Sequence, residues 1–208
     1  MDEATSREKI LKKVRKALLE KSDSSYINVD FKTDLFKKQA ELPEIEFAEK
    51  FLEHKGNFVF CQNEEEACAQ LISLFKNKGW MRPVFEEEEI FYFVEKSGLN
   101  TLEKGSLKIF ISLCEFLVSQ TGSILVSSLQ GFRIRSCVDT NVHIVMAFTS
   151  QLVKSINEAL SLFDKKYEVH TPRQITLITG PSKTADIEQE LVYGAHGPSE
   201  IYCFLIEG

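Results

Sequence analysis

With 208 residues, 43% of them hydrophobic, the chain can bury a substantial core, and its composition excludes a disordered, collagenous or disulfide-scaffold protein. A formal net charge of −6 argues against nucleic acid as the main partner, because phosphate backbones call for a basic surface. The chain opens Met1-Asp2-Glu3 with no basic and then apolar leader, and no run approaches the roughly eighteen apolar residues of a membrane span, so a cytoplasmic protein with no membrane span is expected.

Residues 6–21 place Ile10, Leu11, Val14, Ala17 and Leu18 at helical spacing among lysines and arginines, behind Ser6 as cap. The basic face of this amphipathic helix reads either as a membrane-surface element or, as is more common, as a helix that docks on its own domain or on a second copy of the chain, which makes a homodimer a candidate assembly. A connector with Tyr26, Phe31 and Phe36 follows, and the predicted division is 1–42, helix and connector, and 43–208, an α/β domain. From Pro43 the spacing predicts a helix to about Glu53, a strand over Asn57 to Cys61, a helix from an Asn63 cap to Lys78 and a turn at Gly79. Ile90 to Val94 reads as a short strand, Leu107 to Leu113 as another apolar run, and Ser123 to Ser128 as extended after the break at Thr121-Gly122. His143 to Phe148 is a strand core, and Ser150 is expected to open a helix running through Leu152, Ile156, Ala159 and Phe163. A strand over Gln174 to Thr179 then leads through the turn Gly180-Pro181-Ser182 into a helix, a second turn and a last strand. Helices separating apolar strands predict an α/β fold with a largely parallel sheet flanked by helices on both faces, whose ligands usually sit at the carboxyl ends of the strands.

Cys61, Cys68, Cys114, Cys137 and Cys203 are odd in number, share no C-x-x-C spacing and mostly lie in apolar runs. Reduced thiols are expected, and no metal site or cofactor emerges from the spacing. Glu64 to Glu66 and Glu86 to Glu89 read as solvated faces or loops.

Four stretches carry chemistry worth weighing. A helix opening at Ser182 or Thr184, with Asp186 and Glu188 in its first turn, is well capped; Lys183 beside free N–H groups adds a reason for a small anionic ligand there. Neither G-x-x-x-x-G-K-[ST] nor G-x-G-x-x-G occurs. Gln120-Thr121-Gly122-Ser123 reads either as a hairpin turn or as a place where small residues admit a ligand to the backbone. Arg133 and Arg135 would share a face if residues 132–136 are extended, giving solvated side chains or an anion clamp. His143, at a strand start, and His196, between glycines, are the two candidate proton carriers, with a hydrogen-bonded structural imidazole as the plainer reading of each.

The stretch Gly180-Pro181-Ser182-Lys183-Thr184-Ala185-Asp186-Ile187-Glu188, followed by Leu191-Val192-Tyr193-Gly194-Ala195-His196-Gly197-Pro198, closely resembles the signature of the lactate utilization protein C family, the LUD domain. Thr121-Gly122-Ser123 and His143-Ile144 fall at similar places and spacings, and the resemblance runs from about Leu107 to the C-terminus. It implies a fold similar to sugar-phosphate isomerases and CoA transferases, and a bacterial role in oxidising L-lactate to pyruvate. It also implies iron–sulfur subunits as redox partners, with this chain as a non-redox accessory component. The family usually carries Glu immediately before Thr-Gly, where this chain has Gln120; a Pro expected shortly before the His is absent as well. An amide cannot serve as the carboxylate nucleophile of an acyl-transfer mechanism, so the resemblance implies binding at Gln120, Thr121 and Gly122, together with Gly180, Ser182, Lys183, Thr184 and Arg133, in preference to covalent catalysis. A stand-alone isomerase or acyl-transfer enzyme acting on a phosphorylated or CoA-linked substrate is the alternative.

Overall fold

The computed structural model describes residues 42–80, 83–99, 108–130, 132–168, 172–185 and 191–208. The expected helix over 6–21 and connector over 22–41 lie outside the described residues, as do Asp186 to Glu190.

Helix α1 (Pro43–Glu53) starts with Pro at its first position, which costs no hydrogen bond there, and with Glu44 and Glu46 in the first turn. It buries Phe47 and Phe51, stacked at 5.4 Å. Strand β1 (Asn57–Cys61) follows. Helix α2 (Glu64–Lys78) has the expected ends: the Asn63 side chain accepts from the Glu66 N–H, and Gly79 closes the helix at φ 64°.

Ile90 to Val94 differs from expectation, since it lies inside helix α3 (Glu88–Lys96). Buried Ile90, Phe93 and Val94 stand at i, i+3 and i+4, while Phe91 and Tyr92 are exposed. Helical periodicity outweighed the strand preference of the aromatic and β-branched side chains. The run after it forms β2 (Ile109–Ser112), β3 (Phe116–Val118), a 3₁₀ turn at Ser119–Thr121 and β4 (Ser123–Ser127). The stretch 132–136 is not a strand, the condition on which a shared strand face for Arg133 and Arg135 rested: Arg133 is extended and leads into a short helix α4 (Ile134–Val138) that carries Arg135. Strand β5 (Val142–Phe148) is as predicted. The next helix does not open at Ser150: Thr149–Gln151 is a 3₁₀ turn, β6 (Leu152–Val153) pairs with β3, and α5 (Ile156–Lys166) begins after Ser155, whose hydroxyl accepts from the Glu158 N–H. The chain ends with β7 (Ile175–Ile178), β8 (Lys183–Ala185), β9 (Leu191–Tyr193) and β10 (Glu200–Ile206).

The main sheet is parallel throughout in the order β1-β10-β5-β2, with β10 and β5 paired from Glu200 against Val142 to Ile206 against Phe148. Val84 adds a parallel bridge to Phe110 at the β2 edge. Alternate residues of these strands enter two cores. On one face Ile109, Ile144, Met146, Tyr202 and Phe204 meet Leu71 and Phe75 of α2 and Ile90 and Phe93 of α3. On the other, Phe110, Val145, Ala147, Cys203 and Leu205 meet Phe47 and Phe51 of α1 and Cys137 of α4. Both faces are covered, as the near-continuous apolar character of β5 and β10 requires.

A second, mixed sheet, β6-β3-β4-β7, was not visible as a separate layer in the sequence. Its Leu117, Ile124 and Val126 share the core that contains Phe47 and Phe51, and Val118 and Leu125 pack with Ala159 and Phe163 of α5. Strands β8 and β9 pair antiparallel.

Candidate functional site

Two motif stretches more than fifty residues apart in the sequence meet at the ends of β4 and β7. Ile124 pairs with Ile178, and one residue further out the hydroxyls of Ser123 and Thr179 lie 2.8 Å apart. Gly122 takes a left-handed φ of 59° and Gly180 one of 76°; a Cβ on either would lie 2.4 Å from α1 backbone or the turn after it, at the Phe51 N and the His54 O respectively. Both turns therefore need glycine, because α1 is pressed directly onto them. Ser119 ties the first turn to α1 by donating to Glu46 Oε2 at 2.6 Å. Gln120 is buried beside it, its N–H bonded to the Lys154 carbonyl. The Thr121 hydroxyl is buried without a hydrogen-bond partner, an arrangement that costs on the order of 1–3 kcal/mol unless something fills it.

From Gly180 the chain does not enter a helix at Lys183. Lys183–Ala185 is strand β8, paired with Leu191–Tyr193, so the expected helix N-terminus and its dipole do not stand behind Lys183. The physical reason lies further along the chain: the Ser182 N–H donates to the Pro198 carbonyl and the Ser182 carbonyl accepts from Gly194, which draws the segment against the Gly194 to Pro198 turn. Those bonds also occupy the Ser182 N–H that an anion would have used. What remains at this turn is side-chain chemistry, with Lys183 exposed, Ser182 and Thr184 half-buried and His196 exposed on the neighbouring turn. The cluster packs at the amino ends of β5 and β10, where Ser199 donates to the Asn141 carbonyl, and not at the carboxyl ends where the fold class usually places ligands.

His143 does not join it. Its ring is fully buried, stacked on Phe110 at 5.3 Å, with Nε2 2.8 Å from the Ser112 hydroxyl and Nδ1 3.6 Å from the Cys137 sulfur. Burial pushes its pKa down to about 3, so the imidazole stays neutral through the physiological range and carries no proton to a ligand. Arg133 is also elsewhere, beyond the far end of β4, in a cleft bounded by Glu86, Leu129, Phe132, Arg135 and Arg173.

The structure shows acidic groups that the sequence pattern did not single out. Glu115 is buried and its carboxylate accepts from Ser127 at 2.5 Å, Lys166 at 2.7 Å and Tyr167 at 3.0 Å. An acid set between the apolar runs 109–114 and 116–118 was the available signal. Glu86 and Glu87 correct the reading of their run as a solvated face. Glu86 accepts from Ser136 and faces Arg133 Nε at 3.6 Å. Glu87 is buried, and desolvation, which outweighs nearby backbone N–H groups, pushes its pKa up to about 7. Because its carboxyl holds a proton in the folded chain up to a higher pH than in the unfolded one, the contribution of Glu87 to stability is most favourable below about pH 4.5 and is lost as pH rises through 7. Glu87→Gln, which mimics the protonated acid, is expected to stabilise the protein by about 2 kcal/mol at pH 8 and by little at pH 4.5, measured by urea unfolding at both values.

The five cysteines are free and buried, and burial pushes the Cys61 thiol up to about 11 and that of Cys137 up to about 12. No group of three or more metal-ligating side chains occurs among the described residues, and none of their helices is long and apolar enough to cross a membrane.

A parallel α/β domain, backed by a mixed sheet and carrying glycine turns that converge on its first helix, defines the class of protein. The LUD domain model matches residues 86–206, more than half of the chain, and the chain belongs to that family. An uncharacterized protein of Neisseria meningitidis serogroup B is 37% identical over 90 residues, covering 43% of this chain and 38% of the relative. Lactate utilization protein C of Geobacillus thermodenitrificans is 34% identical over 107 residues, covering 50% of this chain and 43% of that protein. The Bacillus pumilus protein of the same name is 32% identical over 114 residues, covering 54% and 47%. The chain thus spans about half, or less, of the length of the curated relatives it matches. The fold is shared with the crystal structure of a DUF162 family protein from Deinococcus radiodurans, with a TM-score of 0.56 at 14% identity over 79% of this chain and 96% of that one.

Proposed function

We propose that the chain is a non-redox component of L-lactate oxidation to pyruvate, which holds a small carboxylate at the turn cluster while iron–sulfur partners in the cytoplasm accept the electrons. The observation that carries this reading is the meeting of the Thr121-Gly122-Ser123 and Gly180 to Thr184 stretches at the Ser123–Thr179 contact, beside the unpartnered Thr121 hydroxyl. Lys183 supplies the cation, and Thr121, Ser182 and Thr184 supply hydroxyl donors to the carboxylate. Gln120, an amide, binds without attacking. Buried thiols with raised pKa are poor ligands for a redox cluster, in keeping with electron transfer on partner subunits. The neutral, enclosed His143 removes one of the two acid–base residues that a stand-alone isomerase would use, which favours the accessory reading.

Isothermal calorimetry of L-lactate and pyruvate on the purified chain tests the site. Lys183→Ala is expected to weaken binding about tenfold with the fold intact. Equal affinity in the wild type and the variant removes Lys183 from the site.

A further inference from the structure

A second cleft, of about 680 Å³, opens at the end of β4 remote from the turn cluster. Its two sides are fastened together where the Ser128 N–H donates to the Gln174 carbonyl and the Gln174 N–H to the Ser128 hydroxyl. Three guanidinium groups line it, from Arg133 and Arg135 at α4 and from Arg173 on the segment entering β7, with Glu86 as the one acidic lining residue among the described residues. On a chain of net charge −6 this leaves positive charge in excess at one place, even with Asp139 beside Arg135.

Those arginines are barely engaged by the protein itself. Arg133 approaches Glu86 through Nε at 3.6 Å, while the other Glu86 oxygen is taken by Ser136, and the Arg133 side chain stays largely exposed. Arg135 reaches Asp139 only at 4.0 Å, and among the described residues Arg173 makes no ion pair. The wall between them is apolar, formed by Leu129, Phe132 and Ile134. Guanidinium forks match the oxygens of phosphate bidentately, and a surplus of positive charge suits a phosphate monoester dianion better than a monocarboxylate.

We propose that this cleft binds a small organic phosphate, with Arg133 and Arg173 holding the phosphate from opposite sides and the Leu129, Phe132 and Ile134 wall receiving the organic part. The site is separate from the carboxylate site at Lys183 and independent of it.

Phenyl phosphate is the probe, titrated into the full chain by calorimetry at low ionic strength. Binding with one-to-one stoichiometry is expected, tighter than that of inorganic phosphate because of the apolar wall. The Arg133→Ala, Arg173→Ala double variant is expected to lose at least about tenfold in affinity, and Glu86→Gln to gain severalfold, while Lys183→Ala binds as the wild type does. The arginines are exposed, and circular dichroism checks that the variants retain the fold. Absence of phenyl phosphate binding, unchanged affinity in the double arginine variant, or loss of binding in Lys183→Ala each overturns the proposal; malonate binding as tightly as phenyl phosphate overturns the phosphate assignment. Failure of lactate to bind at Lys183 leaves every one of these readings intact.

Discussion

Glu115→Ala is expected to lower the free energy of unfolding by about 3 kcal/mol, the largest side-chain effect in the protein outside its apolar cores. The Glu115 side chain has no exposed surface, and it is the common acceptor for Ser127 on β4, Lys166 at the end of α5 and Tyr167 just after it. Removing it leaves the buried Ser127 hydroxyl without its acceptor and unfastens α5 from the second sheet. The effect is asymmetric. Lys166 is half exposed, with 48% of its side chain accessible, so in Lys166→Ala the carboxylate keeps two hydroxyl donors and the loss is expected to be about 1 kcal/mol. Urea denaturation of both variants checks this, and equal losses would show that the ion pair, not the hydroxyl network, carries the stabilisation.

Gly122→Ala is expected to cost at least about 3 kcal/mol, because two penalties coincide. The left-handed φ of 59° costs an L-residue roughly 1–2 kcal/mol, and the new methyl would sit 2.4 Å from the Phe51 N and 2.5 Å from the Lys50 carbonyl carbon. Neither atom can yield without moving α1, whose Phe47 and Phe51 fill the core below the main sheet. Gly79→Ala is the matched control. It has a φ of 64° and nothing within 4 Å, so only the backbone penalty of about 1 kcal/mol is expected. Thermal unfolding of the two variants separates conformation from collision. Because α1 is displaced, Gly122→Ala is also expected to disturb the turn cluster, whereas Gly79→Ala is not.

The parts of the fold that were legible in the sequence are those whose signals are local. Helix α2 is bounded by an Asn63 cap and a Gly79 stop, both side-chain or backbone effects within a turn of the helix end, and it appears where they place it. Strands β1, β5 and β7 are short apolar or β-branched runs and appear likewise. The segment after Gly180 differs from expectation because a Gly-Pro-Ser turn with following acids suits a helix start equally well, and what decides against it lies at Gly194 and Pro198. Arg133 and Arg173 are brought to one cleft by the pairing of β4 with β7, and Glu115 finds Lys166 through the packing of α5 on the second sheet; neither relation has a sequence period. The turn cluster itself was legible only as separate motifs. Their contact at Ser123 and Thr179 depends on the register of two strands more than fifty residues apart, which the sequence pattern leaves open.

L-lactate oxidation by a strain lacking the chain tests most directly the proposal that the chain works in L-lactate utilization through the joined turn cluster. Deletion is expected to abolish oxidation, the wild-type chain to restore it, and the Thr121→Val, Lys183→Ala double variant, accumulated to the same level, to fail. Unchanged lactate oxidation after deletion, or full restoration by the double variant, would contradict it.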